Sequence, residues 1–190
     1  VNNKITAMPS SVPEFITGTK KYAVGSSVYE YWLRTYYGVD PTDGTALYLA
    51  ESTAPSASRR LITNKDGGVD TVTTLASNGK FQYQGTAIPD LYGSFTQSIR
   101  FKHITISALF TFQIGGKTYD ANYAGLMSSG TYGGALSTDI LKRWQKPGDI
   151  TDVPRLDAGR TTDFNAASSR WLVDGSYLNI RSINISYNLP

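Results

Sequence analysis

The hydrophobic residues of this 190-residue chain recur mainly with a period of two. From Ile104 to Gly116 the sequence reads ITISALFTFQIGG, and apolar residues occupy every even position through Ile114. The odd positions between them are mostly hydroxyl or amide residues. Successive side chains of a β-strand point to opposite faces, whereas an α-helix repeats every 3.6 residues. The pattern therefore predicts a strand with one apolar and one polar face over about 11 residues.

Three further segments alternate in the same way and predict strands: Val28–Tyr37, Ser94–His103 and Arg181–Leu189. Only two residues separate Phe101 from Ile104, so the strands on either side are predicted to form a tight hairpin.

The other connections are long. After Gly116 no clear strand follows until the neighbourhood of Trp171, and within that stretch Ser137–Gln145 predicts a short helix. Ser52–Ser58 and Asn64–Gly68 are predicted to be further long loops. Tight turns at one end of the strands and long loops at the other are typical of outer-membrane barrels.

Two all-β folds fit this alternation. A soluble β-sandwich would turn the apolar faces inward, towards a second sheet. An antiparallel transmembrane β-barrel would turn them towards lipid, and about ten residues suffice for a tilted strand to cross a bilayer. Sandwich strands are usually shorter, and their outer faces usually carry more Lys and Glu than the Ser, Thr, Asn and Gln found here. Periodicity alone leaves both folds open.

Composition narrows the function classes. The formal charge of +3 comes from scattered residues, which does not predict the concentrated basic face that nucleic acid requires. The chain has no cysteine and one histidine, His103, so we expect no metal site, no cofactor and no catalytic set. An enzyme is therefore not predicted. Charged residues make up 17%, below the roughly 25% of ordinary soluble domains, which suits a protein with large apolar outer surfaces.

Four segments in order resemble the C-terminal barrel region of the SusC/RagA family, TonB-dependent outer-membrane transporters of Bacteroidetes. They are YYGVDPTDGTALY (36–48), GTAIPDLYGSFTQSIRFKHITISALFTFQIGGKTYD (85–120), ILKRWQKPGDITDVPRL (140–156) and RWLVDGSYLNIRSINISYNLP (170–190). Each alone is a weak signal, but the four together cover nearly the whole chain and are specific.

The resemblance implies a segment of a 22-stranded barrel, closed inside by a plug domain and capped by a SusD-like lipoprotein. It implies import of oligosaccharides or peptides across the bacterial outer membrane, driven through TonB. Residues 1–190 would be a C-terminal portion of that barrel without the plug and the last strands, and hence an internal piece of a longer protein. The remaining alternative is a secreted carbohydrate-binding or adhesin β-sandwich whose loop tyrosines stack on sugar.

The candidate site residues follow from the barrel interpretation. The polar faces supply candidates for the lumen wall: Ser94, Thr96, Ser98, Arg100, Thr105, Ser107, Thr111 and Gln113. The long loop supplies candidates for contact with ligand or lid: Tyr119, Tyr123, Tyr132 and Trp144. Tyrosines near strand ends are candidates for the aromatic girdle at the membrane interface: Tyr29, Tyr31, Tyr36, Tyr37 and Tyr187.

Overall fold

The computed structural model describes residues 3–64, 66–128 and 133–189. Their regular secondary structure is mostly β-strand, with only short helices, which confirms the all-β prediction at that level. No helix within them is both long and apolar enough to cross a membrane.

Thirteen strands are present in the described residues: β1 (Glu14–Thr17), β2 (Lys20–Ala23), β3 (Glu30–Arg34), β4 (Tyr36–Val39), β5 (Ala46–Leu49), β6 (Arg59–Thr63), β7 (Val69–Thr73), β8 (Phe81–Thr86), β9 (Leu91–Phe101), β10 (Ile104–Ile114), β11 (Lys117–Tyr119), β12 (Leu172–Asp174) and β13 (Tyr177–Tyr187). The α-helices are α1 (Ala121–Leu126) and α2 (Thr161–Phe164). Short 3₁₀ helices occur at Ser56–Ser58, Ala76–Asn78, Thr138–Lys142, Ala158–Arg160 and Ser169–Trp171.

The described chain divides into two compact units, here called the loop unit and the sheet unit. The loop unit comprises residues 3–84 and 119–172, and the sheet unit comprises residues 85–118 and 173–189.

The sheet unit is a three-stranded antiparallel sheet in the order β13-β10-β9. Its three strands have 11 residues each, about twice the usual strand length. β9 and β10 form the predicted hairpin, with Phe101 opposite Ile104 and a turn at Lys102 and His103. Lys102 adopts a left-handed φ of 52° there, and the turn carbonyl of His103 accepts from the Asn188 amide at 2.8 Å.

The register of β13 contains one irregularity. Leu109 lies opposite Ser182, but the next residue of β10, Phe110, lies opposite Ile180, so Arg181 has no partner on β10. A β-bulge of this kind shifts the side-chain alternation by one residue. The shift lets Leu178 and Ile180 share a face with Ile183 and Ile185, although their positions differ in parity.

These sheets are not closed into a barrel. β9 and β13 are edge strands of the sheet unit, and no strand of the described residues pairs with their outer edges.

The loop unit contains a four-stranded sheet in the order β4-β5-β7-β6 and the two-stranded sheets β3-β8 and β1-β2. The predicted strand Val28–Tyr37 is interrupted at Thr35, whose amide instead donates to the Lys80 carbonyl at 3.0 Å. The prediction of a long loop at Asn64–Gly68 is wrong, since only a short connection joins the paired strands β6 and β7, and the backbone N–H of Asn64 donates to the Gly68 carbonyl at 2.8 Å. Lys65, within this segment, lies outside the described residues. The predicted helix at Ser137–Gln145 is present as the 3₁₀ helix Thr138–Lys142.

Two small clusters form the core of the loop unit. In one, Tyr48 and Phe164 pack with Ala46 and Ala76. In the other, Trp171 is 1% exposed and packs with Ala124, Met127 and Ile140. Both clusters join residues more than 30 positions apart, so the long loop is folded against the strands of its own unit.

Glycine is required where the end of β10 meets the start of β9. Gly115 has a φ of +75°, and a Cβ there would lie 2.2 Å from Oδ2 of Asp90 and 3.2 Å from the Asp90 backbone nitrogen. The Gly115 amide also donates to Oγ of Ser176 at 2.9 Å.

The substitution Gly115→Ala is expected to destabilise the full receptor by about 2 kcal/mol, because left-handed strain adds to the cost of moving Asp90. The check is the midpoint of denaturant unfolding in detergent. Gly25→Ala is the control, since Gly25 has a φ of +88° but open space around a Cβ, and it should cost only about 1 kcal/mol. Equal shifts for both variants would contradict the close approach.

Candidate functional site

The sheet unit has one face made almost wholly of apolar side chains, here called the apolar face. Gly93 and Gln97 also lie on it, and its large side chains are Leu91, Phe95, Ile99, Phe101, Ile104, Ile106, Phe110, Phe112, Ile114, Leu178, Ile180, Ile183, Ile185 and Tyr187. None of these side chains is buried. Exposed fractions reach 45% at Ile106, 63% at Ile99 and 71% at Ile185.

Aromatic rings fill the middle of the apolar face. Phe95 and Phe110 lie opposite each other and stack with centroids 4.7 Å apart and planes 11° from parallel. The ring of Phe112 covers Gly93, where a Cβ would be 3.2 Å from its Cζ. These contacts between rings on neighbouring strands make the exposed face of the sheet a continuous apolar surface.

The opposite face of the sheet unit, here called the polar face, gathers all eight lumen-wall candidates. Across β9 and β10 the register sets Arg100 opposite Thr105, Ser98 opposite Ser107, Thr96 opposite Leu109 and Ser94 opposite Thr111, and Gln113 lies at the end of the same row. Gln113 is also anchored, because its Nε2 donates to the Gly175 carbonyl at 3.0 Å.

The sequence predicted a strand at Arg181–Leu189, which overlaps β13, but its polar residues were not among the lumen-wall candidates. β13 adds Asn179, Ser182, Asn184 and Ser186, opposite Thr111, Leu109, Ser107 and Thr105. Their alternation is visible in the sequence, but only the register shows that they extend the same face. Arg181 was also missed, although it is the one residue that interrupts an otherwise regular alternation from Leu178 to Tyr187.

The three described loop candidates lie in the loop unit, where they make intramolecular contacts. Tyr123 donates its hydroxyl to Oδ2 of Asp139 at 3.0 Å and meets the edge of Trp171, and Tyr119 packs against the same cluster. Trp144 packs on the turn between β4 and β5. Tyr132 lies outside the described residues.

Trp144 is the centre of a set of contacts here called the clasp, formed by Pro41, Gly44, Trp144, Gly148 and Arg155. The Trp144 indole N–H and the Gly148 amide both donate to the Pro41 carbonyl, at 3.0 and 2.8 Å. The Arg155 amide donates to the Gly44 carbonyl at 2.9 Å. A Cβ on Gly44 would lie 2.5 Å from the Trp144 ring. The clasp thus joins two of the family-like segments, 36–48 and 140–156.

A cluster of ion pairs stabilises the turn between β4 and β5, to which Trp144 of the clasp binds. Arg60 donates to Oδ2 of Asp40 at 2.5 Å and to Oδ2 of Asp43 at 2.9 Å. Burial alone would raise the pKa of Asp43, but hydrogen bonds from Arg60 and Thr45 outweigh it and lower the pKa to about 2. The pKa of Asp40 is lowered as well, since hydrogen bonds from Thr42 and Arg60 overcome its burial.

The depressed pKa of Asp43 predicts a loss of stability in acid. The unfolded pKa of an aspartate is about 3.9, so the contribution is fully present above that pH and is lost as pH falls towards about 2. We expect the loss to be about 1 kcal/mol, since solvent screens this partly exposed pair. The check is denaturant unfolding of the loop unit within the full receptor, followed by tryptophan fluorescence between pH 6 and pH 2. The variant Asp43→Asn should show a flatter profile, and an unchanged profile would contradict the prediction.

Two of the girdle candidates, Tyr31 and Tyr36, are packed within the loop unit, and the girdle prediction is wrong for them. Tyr31 is 8% exposed and lies under the Lys20 ammonium, 3.5 Å from its ring centroid. Burial raises the pKa of Tyr36 to about 12. Tyr37 donates to Asp70 at 3.1 Å. Tyr29 and Tyr187 are 49% and 59% exposed.

Comparison with known proteins supports the resemblance. The chain is 28% identical over 141 residues to TonB-dependent receptor P3 of Formosa agariphila, which is 72% of this chain and 13% of that receptor. It is 22% identical over 107 residues to receptor P26 of the same organism, covering 56% of this chain and 10% of that receptor. No family model matches.

Solved structures agree on the fold. The RagAB peptide importer in its closed-closed state superposes with a TM-score of 0.73 at 18% identity, covering 98% of this chain and 19% of that chain. The RagAB peptide transporter gives 0.71 at 17% identity and the same coverage. The resemblance to SusC/RagA-type TonB-dependent receptors is confirmed. The chain covers 13% of receptor P3 and 19% of the RagAB transporter chain, so it spans less than a fifth of the length of these similar proteins.

Proposed function

We propose that this chain is part of the wall and outer loops of a TonB-dependent nutrient importer in a bacterial outer membrane. The observation that carries the proposal is the sheet unit, with an unroofed apolar face on one side and a hydroxyl- and amide-rich face on the other. Lipid would contact the first face and the water of the lumen the second.

The dimensions suit a membrane. An 11-residue strand is about 36 Å long, and at a tilt of about 40° it rises about 28 Å, close to the thickness of a hydrocarbon core. The tight turn at Lys102 and His103 would face the periplasm. The opposite end of the sheet, where β10 ends and β13 begins, would face outwards, as the long-loop end of such barrels does.

The finer features are proposals that rest on the resemblance. In a barrel of 22 strands, the open edges of β9 and β13 would pair with neighbouring strands of the same receptor, since hydrocarbon cannot satisfy free backbone groups. A plug domain elsewhere in the receptor would couple to TonB, and a SusD-like lipoprotein would close the outer mouth. The neighbours named RagAB are a peptide transporter or importer, which supports peptides as cargo, and oligosaccharides are proposed on the resemblance alone.

The site residues divide accordingly. Ser94, Thr96, Ser98, Arg100, Thr105, Ser107, Thr111 and Gln113 would line the lumen. Tyr119, Tyr123 and Trp144 would hold the outer loop in shape for contact with lid or cargo, and the clasp is the observation that favours this supporting role.

The alternative of a secreted adhesin β-sandwich requires the apolar face to be packed about 10 Å from a second sheet. Exposed fractions of 45% at Ile106 and 71% at Ile185 speak against that packing. Because the relatives are named as receptors and transporters, an enzyme is not proposed.

Uptake by cells tests the proposal. Cells with and without the full receptor would receive fluorescent oligosaccharides and peptides too large for porins, and periplasmic fluorescence would be measured. We expect the receptor to raise accumulation of at least one probe, and loss of TonB to abolish that gain. Equal accumulation with and without the receptor would contradict the proposal.

A further inference from the structure

The β-bulge at Arg181 inserts a charged residue into the middle of the sheet unit. The surrounding sequence, LNI (178–180) followed by SINISY (182–187), alternates regularly if Arg181 is left out. The bulge falls between the partners of Leu109 and Phe110, the sixth and seventh of the 11 residues of β10. Bulges commonly re-aim a side chain beside a functional site.

The position limits where the guanidinium can go. On the proposed function, on which this inference rests, one side of the bulge faces the middle of the hydrocarbon and the other faces the lumen. An arginine on the lipid side at mid-membrane depth is strongly disfavoured. Ile180 lies on the apolar face, and successive residues of a strand point to opposite faces. Arg181, which follows Ile180, is therefore on the polar side, where Ser182 also lies.

No strand of the sheet unit places an acidic residue beside this charge. β9, β10 and β13 contain no aspartate or glutamate, and their arginines are Arg100 and Arg181. Within the described part of the chain the Arg181 guanidinium has no carboxylate partner. Its neighbours on the polar face are uncharged hydrogen-bonding residues, among them Asn179 and Thr111, which lie opposite each other.

We propose that Arg181 is an oxyanion-binding residue of the lumen wall, which contacts carboxylate or sulfate groups on the cargo as it passes. A guanidinium binds such groups through two parallel N–H donors, and hydroxyl and amide side chains beside it can complete the hydrogen bonding. Cargo that bears acidic groups is thereby favoured over neutral cargo of the same size.

The reactivity of a neighbouring thiol tests this directly, because the chain has no cysteine of its own. Ser182→Cys would be introduced into the full receptor in outer membranes, with any cysteine outside this chain replaced. The rate of modification would be measured with a methanethiosulfonate bearing a sulfonate and with one bearing a quaternary ammonium. We expect Arg181→Gln to lower the ratio of the anionic to the cationic rate about tenfold. Arg181→Lys should retain most of the ratio, and Arg100→Gln, nearer the turn, should change it less than twofold.

Each other result overturns the proposal in a distinguishable way. A ratio unaffected by Arg181→Gln means that Arg181 points to lipid or is neutralised by a carboxylate elsewhere in the receptor. An equal effect of Arg100→Gln means a general field rather than a site at the bulge. If neither reagent reaches the thiol introduced by Ser182→Cys, the polar face is not wet, and the proposed function fails with this inference.

Discussion

Replacing Phe110 by arginine is expected to cost the full receptor about 2–4 kcal/mol of folding free energy in the membrane. Phe110 lies near the middle of β10 on the apolar face, stacked on Phe95. A guanidinium there would have to enter hydrocarbon or drag water and headgroups towards itself. The receptor would be folded into lipid vesicles over a series of denaturant concentrations. The folded fraction at each concentration would be measured from the band that migrates as folded protein when the sample is run on a gel without heating.

The neighbouring position supplies the control. Thr111 lies next to Phe110 in β10 but on the polar face, opposite Ser94 and Asn179. Thr111→Arg should cost less than about 1 kcal/mol, because the charge stays in the water of the lumen. Similar costs at residues 110 and 111 would mean that no hydrocarbon lies on the apolar face.

Gly44→Ala is expected to open the clasp and to destabilise the loop unit by about 3 kcal/mol, because two effects add. The φ of +72° at Gly44 strains any residue with a Cβ, and that Cβ would lie 2.5 Å from a rigid aromatic ring. Trp144 would have to leave the turn, and its indole N–H would lose the Pro41 carbonyl. The measurements are tryptophan emission, expected to shift to the red, and the rate of proteolysis within residues 137–157.

Two variants separate the causes of this effect. Gly25→Ala has a comparable positive φ with open space and should cost about 1 kcal/mol with no change in emission. In a protein that already carries Trp144→Ala, the further change Gly44→Ala should destabilise the loop unit less than it does in the unaltered receptor, because the clash with the ring is absent. Unchanged emission in Gly44→Ala would show that Trp144 does not rest on this turn.

The strands of the sheet unit could be predicted from sequence because local pattern determines them. Ile104–Ile114 alternates without interruption, and the two-residue gap after Phe101 leaves room only for a tight turn. The pairing of β10 with β13 could not be read in this way. It joins residues more than 60 positions apart. The bulge at Arg181 also moves the apolar residues of β13 from even positions before it to odd positions after it, so the two halves of the strand do not show one continuous alternation.

The loop unit was harder to predict because long-range contacts determine it. β6 and β7 have five residues each, and their apolar residues, such as Leu61 and Val69, remain exposed, so their periodicity is weak. The predicted strand is interrupted at Thr35, where the backbone bonds to distant parts of the chain. Next to it, the backbone N–H of Tyr36 donates to Oγ of Ser169 at 3.0 Å. The tyrosines assigned to a girdle were misread for the same reason, since their packing partners come from distant parts of the chain.

A cysteine scan from Ile104 to Ile114 in the full receptor tests the central claim most directly. Each of the 11 single-cysteine variants would be reacted with a membrane-impermeant maleimide and, in parallel, with a lipid-soluble one. We expect strict alternation, with the even positions labelled from lipid and the odd positions, such as Thr105, Ser107 and Thr111, labelled from water. If the cysteines that replace Ile106 and Phe110 react with neither reagent, those positions are covered by protein, and the account of this sheet as a membrane wall is contradicted.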